Sequence, residues 1–326
     1  MQFFLQSVTL NPDLIFKEQT NMQKIELGSR LELFRGCVAP GVRMSDELSA
    51  FYSDTPARIT RARSASGIRI ALVTDAVEME YSLAFGAASR EVYTSDIVAD
   101  GKVTTVEGAG PHKFSFAPGE KEIVIHLPHL VVAEKIFLAV DDGAFVKAAP
   151  QKARKLLICG DSIMQGMTCT SPLKSMAALL AEKLDMDFHN TSVGGAVLRA
   201  EPVAQTIALG GDVILVGFGI NDTVRPTPPE QFREQARKVF ELLENFPGKS
   251  FFVVPLPTTK VDPVCREEYC RMIRDEHTAF PGVTLIEGAD FYPADDAYFV
   301  DGLHPNDKGM ALYADSLTLI MKPLLG

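Results

Sequence analysis

Cysteine is scarce and unpaired: Cys37, Cys159, Cys169, Cys265 and Cys270 are spread over 326 residues, and no two stand in CxxC spacing. An odd set without that spacing argues against a disulfide framework or a zinc cage and predicts free thiols in a reducing compartment, with Cys265 and Cys270 the only pair close enough in sequence to leave a bridge open. Long hydrophobic runs are also missing, since no apolar stretch approaches the ~20 residues needed to span a bilayer. The opening MQFFLQSVTLNPDL has no basic n-region, continuous apolar core or small-residue cleavage site. No membrane partner is expected, and the cytoplasm is the expected location. Positive charge is in deficit, with 32 Lys and Arg against 42 Asp and Glu and a formal charge of −10. A general grip on a nucleic-acid backbone is thereby excluded, whereas a local basic pocket is not. There is no HExxH, no close His/Cys cluster, and around Gly194 and Gly195 no dinucleotide or P-loop spacing. Neither a metal nor a cofactor is expected.

Apolar material is plentiful, at 46% hydrophobic residues, and the length predicts two domains. Up to about residue 148 the pattern has a period of two: GIRIALVTD at 67–75, VEMEYSLAF at 77–85, DIVADGKVTTVEG at 96–108, HKFSFAPG at 112–119 and EIVIHL at 122–127. Alternation of this kind buries one face of an antiparallel sheet, and Asp100–Gly101 and Pro118–Gly119 suit its turns. The front part therefore reads as a β-sandwich, jelly-roll-like in its organisation.

From about residue 154 the pattern changes to α/β. KLLIC at 155–159, DFHN at 187–190, DVILVGF at 212–218, SFFVVPL at 250–256 and VTLIEG at 283–288 read as strands separated by helical stretches. Ser171–Pro172 and Thr227-Pro-Pro-Glu230 have the spacing of helix starts, and Leu173, Met176, Leu180 and Leu184 form an inward stripe. Near-continuous apolar strands predict a parallel sheet covered on both faces. AAPQKAR at 148–154 is the expected join, giving domains 1–150 and 151–326.

Four loops in the second part carry chemistry-bearing residues. Gly160-Asp161-Ser162-Ile163-Met164-Gln165-Gly166 follows a strand, where an open α/β sheet collects its reactive groups. Asn190-Thr191-Ser192-Val193-Gly194-Gly195 lets the main chain approach a ligand, with the Gly194 N–H as a candidate oxyanion donor. Gly219-Ile220-Asn221-Asp222 offers the Asn221 carboxamide as a neutral donor and Asp222 as a brace for the loop. Asp301-Gly302-Leu303-His304-Pro305-Asn306 sets Asp301 to hold the imidazole of His304 while its other nitrogen faces Ser162. The remaining histidines, at 112, 126, 129, 189 and 277, lack such a context, and Arg35, Arg199 and Arg225 are candidates to meet a polar or anionic substrate.

Together the four loops resemble the SGNH/GDSL hydrolase superfamily over approximately residues 154–326. GDSI at 160–163 with Gly166 is similar to its nucleophile block, Gly194 stands where its glycine donor is expected, GIND at 219–222 resembles its GxND block, and DGLHPN at 301–306 its Asp-x-x-His block. The resemblance implies a flavodoxin-like three-layer α/β domain and a Ser162–His304–Asp301 triad. It further implies an oxyanion hole of the Ser162 N–H, Gly194 N–H and Asn221 side chain, supported by Asp161 and Asp222, and hydrolysis without a metal. A Gly-x-Ser-x-Gly elbow is absent. The front part resembles the β-sandwich modules of two-domain carbohydrate esterases, which implies a small acylated substrate, first an O-acetylated saccharide. A short-chain carboxylesterase or thioesterase and an inactive carbohydrate-binding protein are the competing readings, and a homo-oligomer is compatible with the sequence.

Overall fold

The structure is a computed structural model that describes residues 22–326. The opening segment discussed above lies outside the described residues. The front half holds strands β1 (Met22–Ile25), β2 (Phe34–Arg35), β3 (Arg69–Thr74), β4 (Glu78–Ala88) and β5 (Thr94–Ala99). They are followed by β6 (Lys102–Glu107), β7 (His112–Ser115), β8 (Lys121–His126), β9 (Val131–Asp141) and β10 (Val146–Ala148). One antiparallel sheet has the order β1-β9-β4-β7; the other runs β10-β3-β8-β5-β6, with β2 also on β3. Period-two burial explains the pairing: Ile70 and Leu72 on β3, Ile123 and Ile125 on β8, Tyr81 and Leu83 on β4, and Leu138 and Val140 on β9 share one buried core, the filling of a β-sandwich. Between β5 and β6 the chain reverses at Asp100 and Gly101, both at positive φ (50° and 73°), the geometry that continues the right-handed strand twist.

Two features of this half were not expected. The long β9 interrupts its own alternation with Glu134 and Lys135 and pairs with β4 through shifts of register, which hides its period. Between β2 and β3 lie helices α1 (Asp46–Phe51) and α2 (Pro56–Arg63), whose caps were legible: Ser45 and Thr55 accept hydrogen bonds from the N–H groups of Leu48 and Arg58, and Pro56 opens α2. Met44, Leu48, Tyr52 and Ala62 pack outside the sandwich, into a core with Val193, Leu198 and Phe218 of the second half.

That second half is built on β11 (Lys155–Gly160), β12 (Asp187–Asn190), β13 (Val213–Gly217), β14 (Lys249–Val253) and β15 (Val283–Ile286), all parallel in the order β12-β11-β13-β14-β15. Its helices include α3 (Ser162–Gln165), α4 (Met176–Lys183), α5 (Ala200–Ile207), α6 (Ile220–Val224), α7 (Pro229–Glu244), α8 (Pro263–His277) and α9 (Asp307–Leu325). Alternate residues of β11 serve different layers. Leu156 and Ile158 pack with α4 and α9, while Leu157 and Cys159 pack with α5, α7 and α8. Both faces are therefore apolar, which accounts for the unbroken hydrophobic strands. The strand order reverses about β11, so the crevice beyond the carboxyl ends of β11 and β13 is the topological switch point at which such sheets place their sites.

Two expected helix starts are corrected. Ser171 makes no side-chain cap and precedes only a short 3-10 turn at Pro172–Lys174; α4 begins later, where the Ser175 hydroxyl accepts the Ala178 N–H. Thr227 does not cap α7, because its hydroxyl donates to Asp222 Oδ1 at 2.6 Å. All five cysteines are free. Among the described residues no helix is long and apolar enough to cross a membrane.

Candidate active site

The Ser162 turn is made by close approach. A Cβ on Gly160 would lie 2.5 Å from both the Gly217 carbonyl oxygen and Met164 Cγ, so only glycine lets β11 turn sharply beside β13. Asp161 Oδ1 then accepts the Ile163 N–H at 2.9 Å and starts α3, a single turn closed by Gly166 in the left-handed region (φ 79°). Ser162 sits at the first position of that turn, 4% exposed, and its own N–H has no partner among the described residues.

Opposite it, the loop from Asp301 to Asn306 closes through the Val300 N–H on the His304 carbonyl at 2.9 Å. His304 Nε2 lies 3.0 Å from Ser162 Oγ, and His304 Nδ1 lies 2.9 Å and 3.1 Å from the two oxygens of Asp301. Asp301 Oδ1 also accepts the backbone N–H of Leu303 at 3.1 Å and of His304 at 2.9 Å. Partial burial works against the carboxylate, but the backbone and ring N–H of His304 outweigh it and hold Asp301 at about 2. An ionised Asp301 accepts from Nδ1, fixing the hydrogen there and leaving Nε2 free to accept from the serine hydroxyl. Residues 301, 304 and 162 thus meet in one hydrogen-bonded line.

Asn221, 8% exposed near the start of α6, spends one amide hydrogen on the Ala196 carbonyl at 3.0 Å, which leaves the other available. Asp222 is fully buried and ties the loop after Gly195 to α6: it accepts the Leu198 N–H at 2.9 Å and the Thr227 hydroxyl at 2.6 Å. Burial raises its pKa. Asp161, beneath the serine, is pushed up to about 7 by burial, against the Ile163 hydrogen bond and with Asp222 adding repulsion.

Gly194 departs from expectation. Its N–H donates to Gln165 Oε1 at 2.7 Å and is not free to receive an oxyanion. The next amide is free instead: the Gly195 N–H has no partner among the described residues, while Arg61 Nη1 donates to the Gly194 carbonyl of the same peptide at 2.9 Å. In a trans peptide the N–H points opposite to the C=O, so the guanidinium both aims and polarises the Gly195 N–H.

Gln165 itself was missed by sequence reasoning, as were Arg61 and Arg43. Gln165 Nε2 donates to the Arg61 carbonyl at 2.9 Å and to Ser66 Oγ at 3.0 Å. Arg43, 1% exposed, donates to the carbonyls of Asn190, Ser192, Arg61 and Ala62, joining α2 to the loop after β12. Nothing local in the sequence marks these contacts, because each joins residues far apart along the chain. Of the arginine candidates, Arg35 is committed to the carbonyls of Glu32, Phe34 and Ala149, which removes it from any ligand. Arg199 donates to Leu198 O at 2.7 Å, and Arg225 to Gly195 O at 2.9 Å. Among the other histidines, His129 is buried, lowered to about 4 by that burial, and its Nε2 meets the Gly166 carbonyl behind the serine turn at 3.0 Å. The rings of His112, His189 and His277 each meet a backbone carbonyl, and burial lowers His126 to about 3.

Comparison with known proteins agrees with this architecture. The profile of the GDSL-like Lipase/Acylhydrolase family matches residues 158–312. No curated protein matches. Among solved structures, the salicylyl-acyltransferase SsfX3 from a tetracycline biosynthetic pathway is similar with a TM-score of 0.74 and 18% identity, over 89% of this chain and 94% of that one. A family two carbohydrate esterase from Clostridium thermocellum, in complex with cellohexaose, has a TM-score of 0.61 and 20% identity over 80% and 93% of the two chains. A family two carbohydrate esterase from Cellvibrio japonicus has a TM-score of 0.61 and 16% identity over 80% and 90%. With its switch-point crevice, its profile match and these whole-chain likenesses, the protein has the fold of the SGNH/GDSL hydrolase superfamily and resembles the two-domain carbohydrate esterases within it.

Proposed function

We propose that the protein is a serine esterase that removes a small acyl group, first an O-acetyl group, from a saccharide. The observation that carries the reading is the unbroken line from Asp301 through His304 to Ser162 Oγ. As Ser162 Oγ attacks the ester carbonyl, His304 Nε2 takes the hydroxyl proton and Asp301 stabilises the imidazolium. The tetrahedral oxyanion is received by the Ser162 N–H, the second amide hydrogen of Asn221 and, in place of Gly194, the Gly195 N–H. His304 then protonates the departing alkoxide, leaving an acyl-serine; a water deprotonated by the same imidazole hydrolyses it and restores the hydroxyl.

The superfamily fold supports action on ester bonds, and the saccharide half of the proposal draws on the likeness to carbohydrate esterases. Residues 151–326 are the proposed catalytic domain and residues 1–150 the accessory domain, which here lends α2 to the site. Five free thiols support a reducing compartment, the cytoplasm. Likeness to an acyltransferase favours a second reading in which another alcohol, not water, takes the acyl group from Ser162. A serine-directed organophosphorus probe, with the adduct located by mass spectrometry and Ser162→Ala as control, tests the nucleophile. Labelling elsewhere, with hydrolysis of acetylated saccharides unchanged in the variant, refutes it. Product analysis with added acceptor alcohols separates hydrolysis from transfer.

A further inference from the structure

The loop bearing Gly194 and Gly195 is surrounded by arginines. Arg61 holds the Gly194 carbonyl; Arg58 and Arg225 both hold the Gly195 carbonyl at 2.9 Å. A Cβ placed on Gly195 would lie 3.1 Å from Arg61 Nη1 and 3.6 Å from Arg225 Nη2, so two guanidinium groups flank one residue. Arg90, exposed after β4, adds a further positive charge that repels the Arg61 guanidinium. Only Arg58 has an acidic partner, Asp54; among the described residues Arg61, Arg90 and Arg225 form no ion pair. Arg61 Nε is moreover buried with no hydrogen-bond partner among the described residues.

Like charges gathered together repel one another; Asp54 offsets the charge of Arg58 alone, and carbonyl dipoles offset only part of the repulsion among the others. In a chain with a net charge of −10, acids were available to neutralise them. Two of the arginines stand next to the reacting centre: Arg225 follows directly on the helix that carries Asn221, and the Arg61 carbonyl is bound by Gln165, three residues beyond Ser162.

We infer that the substrate carries a carboxylate close to the scissile ester and that Arg61, Arg225 and Arg90 receive it. Resting on the proposed function, this narrows the substrate to an O-acylated acidic saccharide such as a uronate. Guanidinium groups suit the task because they pair with a planar carboxylate through parallel hydrogen bonds.

The test compares kcat/KM for an O-acetylated methyl glucuronoside and its neutral uronamide, with 4-nitrophenyl acetate reporting general esterase activity. The wild type is expected to prefer the carboxylate by about 100-fold, and Arg225→Gln or Arg90→Gln to lower that preference about 10-fold each. Among the described residues Arg90 makes no side-chain hydrogen bond or ion pair, so its replacement keeps the test valid if the Arg225 variant misfolds. A second readout needs no turnover. In Ser162→Ala, modification of Arg90 and Arg225 by phenylglyoxal, located by mass spectrometry, is expected to slow several-fold with methyl glucuronoside and not with methyl glucoside. Equal kcat/KM for the two esters, or equal modification rates with the two sugars, overturns the inference. If no ester is cleaved in a Ser162-dependent manner, the esterase reading fails, and the protection experiment alone decides whether the anion site exists.

Discussion

Gln165 Oε1 accepts the N–H of Gly194 at 2.7 Å, with the Gln165 amide group held in turn by Arg61 O and Ser66 Oγ. A side chain on the serine turn therefore sets the position of the glycine loop, and its bonds to Gly194 and Ser66 are buried. Gln165→Leu leaves one buried donor and two acceptors short and is expected to cost about 2–4 kcal/mol of stability. Gln165→Glu keeps the bond to Gly194 but cannot donate to the two acceptors, so it should not recover the loss. Urea midpoints of the three proteins check this, and a Glu variant as stable as wild type contradicts it.

The two neighbouring glycines are predicted to differ sharply. Gly195 has a φ of 80°, where a side chain is strained, and its N–H is free; Gly194 has its N–H engaged, and an added methyl would meet only the flexible side chains of Met167 and Arg61 at 3.0 Å and 3.1 Å. Under the proposed chemistry Gly195→Ala lowers kcat about 100-fold or more, the scale of losing one oxyanion donor. Gly194→Ala is expected to cost clearly less. Steady-state kinetics on 4-nitrophenyl acetate decide the order.

Asp301→Asn should leave the loop closed, because the remaining amide oxygen can still accept the N–H groups of Leu303 and His304. It cannot stabilise an imidazolium, and kcat is expected to fall by about 10³ to 10⁴. With Asp301 held at about 2, its protonation lies well below the working range and should leave no step in the wild-type rate profile above pH 4. The same depression stabilises the fold at all pH above the ordinary carboxylate value, and this contribution disappears as pH drops through about 2.

Asp161 makes the opposite contribution. Its folded-state pKa is raised to about 7, so the folded protein keeps a proton that the unfolded chain has released, and stability falls as pH rises from about 4 to about 7. The full effect is up to about 4 kcal/mol. Asp161→Asn retains the oxygen that caps Ile163 without the charge, so its stability relative to wild type should rise between pH 4 and pH 8. Parallel denaturation curves at the two ends of that range would sink the assignment.

Much of this was readable from the amino-acid order. The switch in period near residue 150, the turn at Asp100–Gly101, the five parallel strands, the loops after β11, β12 and β13 and the Asp301–Asn306 segment before α9 are local patterns, and local patterns survive in a linear text. The residues that escaped notice act across distance. Arg43 reaches carbonyls more than 140 positions away, and Gln165 and Arg61 meet only because α2 folds onto the other half. The family resemblance points to Gly194, and composition does not distinguish it from Gly195; a partner at 2.7 Å separates them.

Removing Arg43 tests that long-range joint directly. Arg43→Met takes a donor from the carbonyls of Asn190, Ser192, Ala62 and Arg61, the last of which keeps Gln165, and is expected to destabilise by about 3–5 kcal/mol. Arg43→Lys offers a point charge without the planar fork and should restore less than half of it. Thermal unfolding monitored by circular dichroism measures both.

Because α1 and α2 leave the sandwich to line the other half's interior, the two halves are not interchangeable parts. A second half excised near residue 150 would lack a piece of its own core, and grafting a foreign β-sandwich in front of it would leave that gap unfilled. Over evolutionary time, changes in the loop after β12 and in the insertion between β2 and β3 must therefore be inherited together.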